Sequence, residues 1–171
     1  MSDTHPPDPA PELQPEPWVD RLRALAPTMM AASPYARTMA AELVAVEKGA
    51  ALLRLPYQDA FVGDPSTGVI AGGVVTALLD QTCGYAVWSS LEQFTPIATL
   101  DLRIDYMRPA RPREALQARA ECYKLGRSIA FVRGMAFETD PADPVAAAQG
   151  VFVLTGKDSA AALRQAQGEE R

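Results

Sequence analysis

Apolar positions fall into two regimes along the chain. Before about residue 91 they recur at helical spacing or in short blocks, and beyond Pro96 they alternate with polar residues. Val19, Leu22, Leu25 and Ala26 lie three and four apart, which predicts a leading helix from Trp18 to about Met30, ended near Pro34. Two apolar runs within 41–56 flank Lys48 and Gly49, a turn pair, and predict a hairpin. Residues 63–68 read as a loop. A long apolar run with a single charge, Asp80, fills 65–91; it predicts a helix over 72–91 that opens on Gly72 and Gly73. Past Pro96, Leu100, Leu102, Ile104 and Tyr106 alternate with Thr99, Asp101, Arg103 and Asp105, the pattern of a strand with one apolar and one polar face. Pro109 and Pro112 break it. Leu116, Ala118, Ala120 and Cys122 alternate in a second strand. Gly126 turns into a third through Ile129, Phe131 and Met135, and a last strand covers 145–155.

Strands joined by short connections are expected to pair antiparallel. A helix apolar on nearly all sides has to be covered on more than one of them. The expected class is therefore α+β, an antiparallel curved sheet wrapped around one long central helix. At 171 residues the chain is expected to form one domain with a substantial core. Six prolines among the first 17 residues predict a disordered tail over 1–17, leaving an ordered domain over 18–158 and a frayed polar tail over 159–171.

Charge and composition exclude several functions. A net charge of -5 argues against a nucleic-acid binder. Thr76, Asp80, Gln81 and Thr82 mark the long helix as a core element, with no membrane role expected. No basic segment followed by an apolar one opens the chain, so the expectation is no secretory signal and a cytoplasmic protein. The only histidine, His5, lies in the proline-rich tail, where nothing can hold it in a catalytic geometry. Ser-His-Asp and Cys-His nucleophile systems and histidine-ligated metals are disfavoured accordingly. Cys83 and Cys122 lack the spacing of a disulfide or zinc motif and read as small core residues, so no metal or other cofactor is expected. Tyr106 reads as core and Tyr123 as strand surface.

What remains is Asp80. A carboxylate in an apolar helix needs a partner or a task. Alone, it reads as readily as a helix acid paired with an arginine or a backbone donor. The glycine-led start of the same helix adds free N–H groups and the positive end of a dipole, a combination suited to hydrolysis of an activated acyl group. The glycine pair also has a plain reading, close packing of the helix on the sheet.

The segment GVIAGGVVTALLDQTCGYAV resembles the helix motif of the hotdog-fold acyl-CoA thioesterases of the phenylacetate-pathway, or PaaI-like, group. TLDLRIDYMRPAR resembles the strand that follows in that family, KLGRSIAFVRG its next hairpin and AAAQGVFVLT its closing strand. The likeness runs from about residue 39 to 157. It implies a hotdog fold and hydrolysis of acyl-CoA thioesters to free acid and coenzyme A, with Asp80 as general base or nucleophile. The Gly72 amide would be the oxyanion donor, with Gly73 beside it. Asp64 would line the substrate pocket and Thr99 would approach the attacking water. The family's usual histidine before the glycine pair is Ala71 here, which keeps a non-catalytic acyl-CoA binding protein as the alternative. A purely structural assembly domain is a third. Of the 16 Lys and Arg, eight lie between Arg103 and Arg133. Arg108, Arg111, Arg113, and Arg127 with Ser128, are candidates to hold the coenzyme A phosphates; charged strand edges that resist aggregation are the competing reading.

Helix geometry adds an expectation about assembly. Gly72 and Asp80 are eight residues apart, ~12 Å along a helix axis. A reacting carbonyl has to lie about 3 Å from both its nucleophile and its oxyanion donor. One helix cannot place its own two residues so close. If both are catalytic, Gly72 of one chain meets Asp80 of another, which predicts a homodimer with two shared sites and a homotetramer as a further pairing.

Overall fold

The computed structural model describes residues 17–156. The expected tails lie outside the described residues, His5 with them, except that Pro17 opens the first helix. Helix α1 (Pro17–Ala32) and α2 (Pro34–Met39) precede a hairpin of β1 (Glu42–Glu47) and β2 (Ala50–Leu55). A small ribbon of β3 (Val62–Asp64) and β4 (Val69–Ile70) leads into α3 (Gly72–Ser90). Strands β5 (Ile97–Tyr106), β6 (Leu116–Leu125), β7 (Ile129–Phe137) and β8 (Ala146–Leu154) complete the chain.

The main sheet has six strands in the order β1-β2-β6-β7-β8-β5, and every neighbouring pair is antiparallel. All six strands touch α3, which requires the sheet to curve around it, as a helix apolar on nearly all sides predicted. Leu78, Leu79, Cys83, Ala86 and Val87 are fully buried on α3. The sheet meets them with small side chains, Ala118, Ala120, Ala130, Ala136 and Ala146, which let helix and sheet come close. Each leucine so buried contributes about 1.5–3 kcal/mol. In the β1–β2 turn Gly49 has φ 76, the left-handed region that a glycine enters without strain.

Four features depart from the pattern of the sequence. Pro34 does not end helical order; it opens α2, with the Ser33 hydroxyl accepting from the Ala36 N–H at 3.3 Å, because proline suits a first helical turn. Strand β5 does not pair with β6, its successor in the chain, but crosses to the far edge beside β8. The connection between them contains Pro109 and Pro112 and cannot form a tight hairpin. The alternation of β5 is also broken: its register with β8 skips between Thr99 and Asp101, leaving Leu100 as an unpaired bulge residue, 59% exposed. The expected apolar face of this strand therefore excludes Leu100. Tyr106, expected in the core, is likewise exposed.

Candidate active site

Asp80 sits in the middle of α3, half-buried, on the wall of a cavity of about 410 Å³. Its Oδ1 accepts a hydrogen bond from the Thr99 hydroxyl at 2.8 Å. No basic side chain pairs with Asp80 among the described residues. None of the described arginines is therefore the partner of the plain reading, and beyond its Thr99 bond the carboxylate keeps lone pairs to offer a ligand or a water.

The bulge in β5 brings Thr99 to Asp80. With strict alternation Thr99 would share a face with Asp101, Arg103 and Asp105, away from the core. The extra residue at Leu100 shifts the phase, so Ile97 and Thr99 fall on the same side as Leu102 and Ile104, which pack against the core. Ile97 and Thr99 accordingly line the cavity with Asp80.

The rest of the wall is largely apolar. Gly84 and Trp88 follow Asp80 on one face of α3 at intervals of four, Phe152 rises from β8, and Met29 and Met30 close over from the end of α1. Sequence reading missed these residues, although the spacing of Asp80, Gly84 and Trp88 was a signal available in it. It also missed Gln81 beside Asp80; the Gln81 Oε1 is buried with no hydrogen-bond partner among the described residues. Cys83 lies close behind; burial, and secondarily the Asp80 charge, push its thiol up to about 12, so it is no nucleophile at neutral pH.

Gly72 is placed elsewhere. It begins α3 in a separate groove of about 360 Å³, which does not include Asp80. Ala71 caps the helix without any side-chain hydrogen bond. The Gly72 N–H, first in the helix, is among the donors no helical carbonyl can reach. Its carbonyl accepts from the Tyr106 hydroxyl at 2.7 Å and from the Thr76 hydroxyl at 3.2 Å. A Cβ on Gly72 would lie 3.3 Å from the Tyr106 oxygen, so glycine permits this close approach. Gly73 is exposed beside it, with open space around its Cα. Within one chain the two residues expected to share a reacting carbonyl are thus not together.

The other expected binding residues fall into two kinds. Asp64 is an exposed turn acid: its Oδ1 accepts from the Ser66 N–H and hydroxyl at 2.9 and 2.7 Å, and its Oδ2 from the Thr67 hydroxyl at 2.8 Å. Those bonds, led by the Ser66 hydroxyl, hold its carboxyl below the usual range. Arg108 is consumed by structure. Its Nε donates to Asp143 Oδ1 at 2.9 Å, Nη1 to Glu138 Oε1 and the Pro109 carbonyl, and Nη2 to Glu138 Oε2 and the Asp143 carbonyl. All five guanidinium donors are taken, leaving none for a phosphate. Glu138, which sequence reading did not single out, has a side chain only 2% exposed and is the anchor of this cluster. Arg127 and Ser128, by contrast, are exposed at the β6–β7 turn, and Arg127 has no ion-pair partner among the described residues.

No group of three or more His, Cys, Asp or Glu suited to a metal occurs among the described residues, and no helix among them is long and apolar enough to cross a membrane.

Comparison with known proteins places this geometry in context. The thioesterase superfamily profile matches residues 67–145, a span that includes Gly72, Asp80 and Thr99. The medium/long-chain acyl-CoA thioesterase YigI of Escherichia coli K12 is 30% identical over 113 residues, which is 58% of this chain and 72% of that protein. A solved Pseudomonas aeruginosa protein is 37% identical, with a TM-score of 0.69 over 80% of this chain and 98% of its own. The PaaI protein of the Escherichia coli phenylacetic acid degradation operon shares the fold, with a TM-score of 0.71, 17% identity and coverage of 81% and 96%. The antiparallel sheet around one helix is the hotdog fold that the sequence resemblance implied.

Proposed function

The chain belongs to the thioesterase superfamily, and from that premise we propose that it hydrolyses acyl-CoA thioesters to free acid and coenzyme A. The observation that carries the reading is the Asp80 carboxylate, without a basic partner among the described residues, hydrogen-bonded by Thr99 and set in the wall of a largely apolar cavity. In this reading the thioester carbonyl lies against Asp80, which either draws a proton from water or attacks directly. Thr99 holds the carboxylate in one orientation. The Gly72 amide, with Gly73 beside it, stabilises the oxyanion from the helix start of a second chain.

Two observations support a shared site. The ~12 Å between Gly72 and Asp80 along α3 is too far for one carbonyl to touch both. Strand β5 is an edge of the main sheet; its Leu100 and Tyr106, and Met107 just beyond it, are all more than half exposed, a surface suited to a second copy. We propose a homodimer, with a homotetramer as a further pairing. Among the basic residues, Arg127 with Ser128 is the best placed to meet a coenzyme A phosphate, while Arg108 serves the fold. Asp64, bound into its turn, would contact substrate only from the rim. A cytoplasmic location accords with an acyl-CoA substrate.

The test is release of free thiol from a panel of acyl-CoA thioesters by the purified protein. Asp80→Asn keeps the shape and removes the base; it is expected to lower kcat by roughly 10²–10⁴ with the circular dichroism unchanged. Full turnover in the Asn chain would end the assignment. Ala71, where the resembling family carries histidine, favours the non-catalytic alternative, for which acyl-CoA would bind to the wild-type protein without being turned over.

A further inference from the structure

The contacts around the Asp80 cavity give it a direction. Asp80, Gly84 and Trp88 stand at successive four-residue steps on α3, each ~6 Å further along the axis. The segment opposite descends in step with them. Thr99 bonds Asp80 at 2.8 Å; Ile97 Cδ1 lies 3.8 Å from where a Cβ on Gly84 would stand; and the Thr95 carbonyl accepts from Trp88 Nε1 at 3.0 Å. The cavity is therefore an elongated slot between α3 and the start of β5, with a carboxylate at one station and an indole at the third. The indole is fixed in place by its Thr95 bond and by edge-on contact with Tyr85 at 5.4 Å. Methionines 29 and 30 form the roof, flexible side chains that adapt to an apolar guest.

We propose that this slot holds the acyl chain of the substrate, running from the carbonyl at Asp80 towards Trp88, and that Gly84 sets the length of chain admitted. The assignment rests on the thioesterase reading for the position of the carbonyl. Gly84 is the station where the slot has no side chain. A Cβ there would touch Ile97 and Phe152 at 3.8 and 3.9 Å, ordinary contact distances, so a methyl fits without strain and a larger side chain has to project into the slot itself. Three bonds of an extended chain cover ~3.5 Å, so the ~12 Å from Asp80 to Trp88 takes about ten bonds. The slot thus suits a straight, medium-length acyl group such as decanoyl. A butyryl group would end short of Gly84.

The experiment is kcat/KM on acetyl-, butyryl-, octanoyl-, decanoyl- and hexadecanoyl-CoA for the wild-type, Gly84→Ala and Gly84→Leu proteins. Binding of butyryl- and decanoyl-CoA is measured alongside, on the Asp80→Asn chain with and without Gly84→Leu. For the wild type, kcat/KM should climb with length and stop climbing beyond decanoyl. Each methylene excluded from an apolar site forfeits about fourfold in affinity, so Gly84→Leu should lower the decanoyl-to-butyryl ratio on the order of 10²-fold, with Gly84→Ala, which raises helix propensity, between them. Equal losses at every length, or an unchanged length profile in both Gly84 variants, would overturn the assignment. If the Asp80→Asn chain binds with this dependence on tail length but the wild type hydrolyses nothing, the slot stands and the hydrolytic reading falls.

Discussion

Replacing Arg108 with methionine separates two roles that the sequence alone could not. As a phosphate anchor, Arg108 would affect substrate binding and spare the fold. The structure instead gives it to Glu138, whose side chain is 2% exposed and which accepts two guanidinium hydrogen bonds, at 3.0 and 2.5 Å, and the Arg111 N–H at 2.8 Å. Removing the guanidinium leaves a buried carboxylate with one donor, and breaking a buried pair from one side costs about 3–5 kcal/mol. For a domain of this size that lowers Tm by roughly 10–20 °C. The companion Arg108→Met, Glu138→Leu double variant removes the stranded charge and should recover most of the loss, since apolar replacement of a whole buried pair is often neutral. The pH dependence follows from the same contacts. Burial alone pushes the Glu138 carboxyl up, but the bonds from Arg108 and the Arg111 N–H outweigh it and hold the group below its ordinary value. A carboxyl held low contributes stability above the unfolded pKa of about 4.3 and loses it as pH falls through the folded value. In Arg108→Met burial is opposed only by backbone N–H bonds, so Glu138 takes up its proton at higher pH, and the Tm gap to wild type should narrow as pH falls from neutral to about 5. The assay is thermal unfolding of the three proteins across that range, with KM for acyl-CoA measured beside it. A single variant within about 1 kcal/mol of wild type whose KM nonetheless rises would refute the clamp and return Arg108 to the substrate.

Three further outcomes follow. Thr99→Val removes the hydrogen bond to Asp80 and should lower kcat by about 10–100-fold with KM little changed, the range for a hydrogen bond to a charged group; equal turnover would detach Thr99 from the site. Arg127→Glu should raise KM for an acyl-CoA more than for a short thioester lacking the nucleotide, whereas the same response to both would remove Arg127 from phosphate binding. Heterodimers of an Asp80→Asn chain with a chain blocked at its helix start by Gly72→Pro should regain one working site, and a fully active monomer by sedimentation would rule out sharing.

The sequence by itself determined the long elements and the chemistry that a single site could offer; the short α2, β3 and β4 it did not. The nearly all-round apolar surface of α3, the Lys48-Gly49 turn and the alternation through β6 are local patterns, written in residues a few positions apart, and each of these elements formed where its pattern lay. The isolation of Asp80 in an apolar helix and the histidine-free ordered region were equally plain. What the tertiary structure alone decided were the partners. Whether β5 pairs with its chain neighbour or crosses to β8 depends on a contact almost fifty residues away, and no local signal encodes it. The bulge at Leu100 reversed the face of Thr99, because one unpaired residue changes the phase of a period-two pattern without changing its composition. Arg108 looked like a free cation until folding brought Glu138, thirty residues on, beneath it. The slot beside Asp80 likewise exists only where α1, α3, β5 and β8 converge. Periodicity reports which way a side chain faces relative to its own element; what it faces is set by how distant elements pack.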